Sequence, residues 1–178
     1  MKSAEIEKML MHDLFFKHHS PIVKHFSGAG LGECDVLSIT QSGMVYEYEI
    51  KISRSDYKAD FKKTFKHKIL SNHPEIQKYY YANHKPNFFY YVVPEGLITI
   101  KELPEYAGLI YCKVSDRTYE GYEIIKIKNA PKLFKDKASM ELYQSIMRNL
   151  TAKTIFNGYA TVDRQLLKSS SHPEENKQ

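Results

Sequence analysis

Apolar and polar positions alternate along this chain in two rhythms, one helical and one extended. Ile6, Met9, Leu10 and Leu14 fall at helical spacing, which predicts an amphipathic helix over Ser3–Lys17. Ser3 can cap its start, and Glu5 and Glu7 lie close to the first turn, where carboxylates are favoured. Ile22–Phe26 reads as a short strand inside a glycine-rich stretch. Cys34–Thr40 and Met44–Ser53 then read as two strands around Gln41-Ser42-Gly43, with glycine where a hairpin loop wants a positive φ. Tyr57, Phe61, Phe65 and Ile69 repeat every four residues and predict one continuous helix over Ser55–Leu70. Residues 73–87 are polar and loop-like. Phe88–Val93 is an unbroken apolar run, the pattern of a strand covered on both faces. Ala107–Val114 and Tyr119–Lys128 predict two further strands, and Met140, Tyr143, Ile146, Met147 and Leu150 predict a helix over Asp136–Phe156.

The strand periodicity sorts side chains by face. In the second hairpin strand Tyr46, Tyr48, Ile50 and Ile52 share one face, and Val45, Glu47, Glu49 and Lys51 share the other. In the first strand Cys34, Val36 and Ser38 oppose Glu33, Asp35, Leu37 and Ile39. A three-residue loop sets Leu37 against Glu47, Asp35 against Glu49 and Glu33 against Lys51. A two-residue loop would break that pairing. Facing carboxylates repel unless something compensates, and a divalent cation such as Mg²⁺ does so, since it prefers carboxylate oxygens and water.

Composition bounds the picture without deciding it. The chain has 178 residues with 42% hydrophobic and 26% charged residues, enough for one domain over residues 1–167. The polar stretch 168–178 reads as a disordered tail. A net charge of +5 fits an anionic partner but does not demand one. Two distant cysteines make no metal-binding or disulfide pattern and favour a reducing, cytoplasmic setting. No apolar run is long enough for a membrane helix, and the eight histidines lack zinc-binding spacing.

The informative constellation is Asp35, thirteen intervening residues, then Glu49-Ile50-Lys51. It resembles the signature of the PD-(D/E)XK nuclease superfamily, with Ser53, Asp56, Tyr57 and Asp60 adding a likeness to the DNA-repair-associated MmcB-like proteins. The likeness is best over Glu33–Lys66. Cys34 stands where many members have proline. The resemblance implies a restriction-endonuclease-like α-β-β-β-α-β core, an α/β fold with a mixed central sheet flanked by helices. It implies a Mg²⁺-dependent nuclease, with Mn²⁺ as substitute, that hydrolyses phosphodiester bonds of DNA in repair, recombination or a mobile element. Asp35 and Glu49 would bind the metal, and Lys51 would assist the attacking water. A glutamate of the first helix would complete the shell, with Glu5 favoured over Glu7. Glu33, Glu47 and Ser53 are accessory candidates. Superfamily members are often homodimers.

Each of these readings has a plainer counterpart. Asp35, Glu49 and Lys51 also read as the solvated face of an edge hairpin. Arg54, Lys58, Lys62, Lys63 and Lys66 could track a phosphate backbone, or simply be a wetted helix face. Asp56 and Asp60 read as capping and ion-pairing residues, His67 as a bystander, and Tyr79-Tyr80-Tyr81 as packing or base-stacking residues. The main alternative function is a catalytically inactive nuclease fold that binds nucleic acid or protein.

Overall fold

The computed structural model describes residues 1–27, 33–72 and 85–169, the last thirteen of these as backbone only. Residues 28–32 of the glycine-rich stretch, the tyrosine run at 79–81 and residues 170–178 of the expected tail lie outside the described residues, while residues 168 and 169 of that tail end the last helix. The elements follow the order α1 (Ser3–Phe16), β1 (Ile22–Ser27), β2 (Glu33–Ile39), β3 (Val45–Ile50), α2 (Arg54–Asp60), α3 (Thr64–Leu70), β4 (Phe88–Pro94), β5 (Ala107–Val114), β6 (Tyr122–Lys128) and α4 (Met140–Ser169). The connection from β4 to β5 holds a 3₁₀ turn at Ile100–Glu102.

The strands form one mixed sheet in sequence order. β2 runs antiparallel to both of its neighbours, β1 and β3; β3, β4 and β5 run parallel, and β6 returns antiparallel to β5. β4 is therefore paired on both sides and covered on both faces, which accounts for its continuous Phe-Phe-Tyr-Tyr-Val-Val run. One face packs Tyr48, Ile50, Tyr90 and Val92 against Ile6, Leu10 and Leu14 of α1. The opposite face carries two apolar clusters. Leu37, Ile39 and Val45 pack with Leu142 and Ile146 of α4, while Phe89, Tyr91 and Val93 pack with Tyr57 of α2 and Leu70 of α3. The chain is thus a mixed α/β fold, a six-stranded sheet flanked by helices. Among the described residues no helix is long and apolar enough to cross a membrane.

The hairpin register is the one set by a three-residue loop. Thr40 N–H donates to Met44 O at 3.0 Å, Gly43 has φ +83°, and Leu37 stands opposite Glu47. Cys34 departs from simple alternation and packs with Leu37 and Ile39 rather than with Val36. β1 departs in step with it: His25 has φ +45°, Phe26 pairs with Cys34, and Val23 and Phe26, three positions apart, lie in the same cluster.

Two helical expectations need correction. The expected single helix over Ser55–Leu70 is broken at Phe61–Lys63 into α2 and α3. Phe61 and Phe65, half of the apolar stripe, face solvent at 39% and 56% exposure, so the stripe had no core to hold it straight. The last helix starts at Met140 instead of Asp136. Asn87 Nδ2 donates to the carbonyls of Phe134 and Asp136, and Ala138 N–H donates to Gly43 O. Those backbone groups are committed to the Asn87 side chain and the hairpin loop, and Ser139 Oγ caps the helix by accepting from Leu142 N–H.

Candidate active site on the sheet face

Glu47, Glu49 and Lys51 sit on the sheet face between the two apolar clusters, because β3 alternation points all three the same way. They are almost fully buried, as is Asp60 at the end of α2. Charges at such depth cost several kcal/mol each unless paired (about that order), and here they are paired closely. Lys51 Nζ lies 2.9 Å from Glu49 Oε1 and 3.0 Å from Asp60 Oδ1. Lys63 Nζ, at the head of α3, lies 2.8 Å from Glu49 Oε1 and 3.2 Å from Asp60 Oδ1. Lys66 Nζ bridges Glu47 Oε1 at 2.6 Å and Glu49 Oε2 at 2.9 Å. Tyr91 on β4 donates to Asp60 Oδ2, and His67 Nε2 is 3.5 Å from the same oxygen.

Asp35 joins this cluster from β2. The β2–β3 backbone ladder runs to Val36–Tyr48, and at the next step the Asp35 carboxylate replaces a backbone partner by accepting the Ile50 N–H at 2.7 Å. Its second oxygen makes no hydrogen bond among the described residues.

The electrostatics separate the acids. Burial opposes ionisation of Glu49, yet Lys66, Lys51 and the hydrogen bond from Lys63 outweigh it and hold the carboxyl far below its usual range. Burial pushes Asp35 upward, and the charge of Glu49 adds to the push. Burial also raises Glu47, with Lys66 offsetting part of the effect. For Lys51 burial works against the charge, but Glu49 and Asp60 overcome it and raise its pKa, so it stays an ammonium.

The residues fit a hard divalent cation by chemistry, though lysines stand on the central acid. Asp35 offers a poorly compensated oxygen, and Glu47 Oε1 and Asp60 Oδ1 are buried acceptors with ion-pair partners but no hydrogen bond of good geometry. Among the described residues no three acidic, histidine or cysteine side chains form a ready-made metal cluster.

The other candidates fall elsewhere. Glu5 does not approach these acids; its carboxylate is exposed and accepts the Lys2 N–H at 2.7 Å, closing the start of α1. Glu7 is the helix acid that turns toward the sheet, pairing with Lys24 at 3.0 Å and His25 at 2.9 Å on β1. Glu33 does not pair with Lys51, since the ladder has ended; only its carbonyl takes part, accepting from Lys66. Ser53 caps α2 by accepting from Asp56 N–H. Arg54 pairs with Glu102 at 2.5 Å, while Lys58 and Lys62 are exposed. Lys66 turns inward, whereas Lys63 stays half exposed and reaches from the surface to Glu49 and Asp60. The sequence reading undervalued Glu47, Asp60, Tyr91, Lys66 and His67. The available signal was the i, i+3 spacing of Asp60, Lys63 and Lys66, which suits an ion-paired helix face, although the break puts Asp60 on α2 and Lys66 on α3.

No protein-family model matches this chain, and no curated protein matches it. Among solved structures it is similar to SPO1766, a protein of unknown function from Silicibacter pomeroyi, with 17% sequence identity, 99% of each chain covered and a TM-score of 0.55. That similarity speaks to the fold alone.

Proposed function

We propose that this chain is a metal-dependent nuclease hydrolysing phosphodiester bonds in DNA, built on a restriction-endonuclease-like core. The observation that carries the reading is the fixed Lys51 ammonium, 2.9 Å from Glu49 and 3.0 Å from Asp60, beside an Asp35 carboxylate whose charge is poorly compensated. The element order α1-β1-β2-β3-α2-α3-β4 supports the core once α2 and α3 are taken as one broken helix, with the Asp35 and Glu49–Lys51 segments on adjacent antiparallel strands. An ionic cluster on an otherwise apolar sheet face is also a poor way to gain stability, since well-packed hydrophobes do as well or better, and such clusters gather at functional sites.

Asp35 and Glu49 would hold the ion. When bound, Mg²⁺ or Mn²⁺ would supply Lewis acidity toward a phosphodiester oxygen and a more acidic water. The chain's own residues do the rest. Lys51 keeps its proton, so it orients and stabilises negative charge rather than abstracting a proton. Its ammonium has three N–H donors. Glu49 and Asp60 flank it at ion-pair distance and Asp56 Oδ1 stands 3.9 Å away, and a donor not taken by these acids would serve a water or a phosphate oxygen. Asp60, tied by Tyr91, keeps that ammonium from collapsing onto Glu49 alone.

The test is cleavage of supercoiled and linear DNA with Mn²⁺ or Mg²⁺. Asp35→Asn, Glu49→Gln and Lys51→Ala should each lower the rate by at least about a hundredfold, with Lys51→Ala still binding metal. Cutting in EDTA, or none on any nucleic acid, would refute the reading.

A second reading has one observation in its favour: lysines engage both oxygens of Glu49. On it, the fold binds nucleic acid without cutting. DNA binding that survives both EDTA and the Asp35→Asn/Glu49→Gln double substitution, with no cleavage by the wild type, would select it.

A further inference from the structure

We propose that Lys63 is an exchangeable cation on Glu49, which a substrate phosphate draws away, so that DNA binding and metal binding reinforce each other. This rests on the nuclease reading above and adds its order of assembly. Two ammoniums share Glu49 Oε1, Lys51 at 2.9 Å and Lys63 at 2.8 Å. They differ in how firmly they are held. The Lys51 side chain is 7% exposed and locked between Glu49 and Asp60, whereas that of Lys63 is 47% exposed. Lys66, on the other oxygen, is 11% exposed and also tied to Glu47 and to the Glu33 carbonyl. Lys63 is therefore the cation that can leave at least cost.

The broken helix puts it there. Lys63 is the residue preceding α3, with φ −76° and ψ 56°, outside helical geometry. From that junction its side chain spans Glu49 on β3 and Asp60 on α2. A phosphodiester is an anionic oxygen acceptor, equivalent to a carboxylate as a partner for an ammonium. When phosphate takes Lys63, Glu49 Oε1 loses one of its two cations, and the cluster becomes more negative by one charge. Both changes favour a divalent ion. By linkage, what DNA does for the metal the metal must do for DNA, to the same degree. The resting protein would thus hold metal weakly until substrate arrives.

The experiment measures Mn²⁺ affinity by calorimetry, not cleavage. Wild type, Lys63→Met and Lys62→Met are titrated alone. Wild type and Lys63→Met are then titrated with a short DNA duplex, using Ca²⁺ to keep it intact and subtracting the duplex's own cation binding. Lys63→Met should bind Mn²⁺ roughly fivefold or more tighter than wild type. Duplex should raise the cation affinity of wild type but not of the variant. Lys62→Met controls for general charge, since Lys62 is exposed and makes no ion pair among the described residues. Equal affinity of wild type and Lys63→Met, or an equal gain from Lys62→Met, would overturn the exchange. Absence of cation binding in every form, with or without duplex, would instead remove the metal site itself and the exchange with it.

Discussion

Lys66 Nζ lies 2.6 Å from Glu47 Oε1, and Glu47 has no other cationic partner among the described residues. Glu47 is 1% exposed, so removing the lysine strands a buried carboxylate. Lys66→Met should therefore destabilise the fold by about 3–5 kcal/mol. Adding Glu47→Gln should recover part of that loss, giving a coupling energy of about 0.5–3 kcal/mol in a double-mutant cycle. Urea unfolding of the four proteins reads it directly. Strict additivity would mean the pair does not interact.

Asp60 predicts a graded series. Its side chain is fully shielded and joins Lys51, Lys63 and the Tyr91 hydroxyl. Tyr91→Phe removes one hydrogen bond to a charged acceptor, a loss of about 1.5–3 kcal/mol. Asp60→Asn keeps a group that can accept from Tyr91 but withdraws the charge that steadies Lys51. Its larger signature should be in cleavage rate, with Lys51 no longer held on both sides. A variant with Tyr91→Phe that cuts more slowly than Asp60→Asn would contradict the role given to Asp60.

The sequence made some of this legible and hid the rest for identifiable reasons. Register was readable because a loop of three residues ending in Gly43 has few backbone solutions, so the position of Leu37 opposite Glu47 followed from counting. β4 was readable because a doubly paired, doubly covered strand tolerates little but apolar residues. The helix break was not readable. Tyr57, Phe61, Phe65 and Ile69 keep a four-residue period straight through it, and only Tyr57 and Ile69 find a core. With the break went the inward turn of Lys66 and the reach of Lys63 to Glu49 and Asp60, because a lysine that tracks solvent and one that pairs with a buried acid look alike in sequence. Glu5 and Glu7 show the same limit. Both flank the apolar face of α1, and only the proximity of Lys24 and His25 draws Glu7 inward.

Exposed basic residues near the cluster divide by whether they already have a partner. Lys58 and Lys62 are exposed and make no ion pair among the described residues, whereas Arg54 is held by Glu102 at 2.5 Å. If the face around α2 receives a phosphate backbone, Lys58→Ala and Lys62→Ala should each reduce the slope of log affinity against log salt by about one. Arg54→Ala should change it less. Fluorescence anisotropy of a labelled duplex in EDTA provides the measurement. Unchanged slopes for both lysine variants would move the DNA contact surface away from α2.

Asp35 and Glu49 should respond to pH with opposite signs although they are neighbours. The Asp35 carboxyl is raised in the folded protein, by burial first and then by Glu49. The unfolded chain therefore gives up that proton first, near the ordinary value of about 3.9. Stability falls as pH rises from there through the folded value, and the penalty persists to neutral pH. Asp35→Asn removes the penalty and can keep the hydrogen bond from Ile50 N–H, so without metal it should be more stable than wild type at neutral pH and equal to it in strong acid. Glu49 is lowered, because its lysines outweigh the burial that would raise it. Its stabilisation is present above the unfolded value of about 4.3 and is lost as pH falls toward the folded one. Glu49→Gln should be less stable than wild type at neutral pH and converge with it in acid. Mn²⁺ should then raise the melting temperature of wild type but not of either variant, since a ligand stabilises only the state that binds it. Melting curves from acid to neutral pH, with and without Mn²⁺, test all of this together. If both variants shift stability in the same direction, Asp35 is a satisfied structural acid and has no outstanding need for a cation.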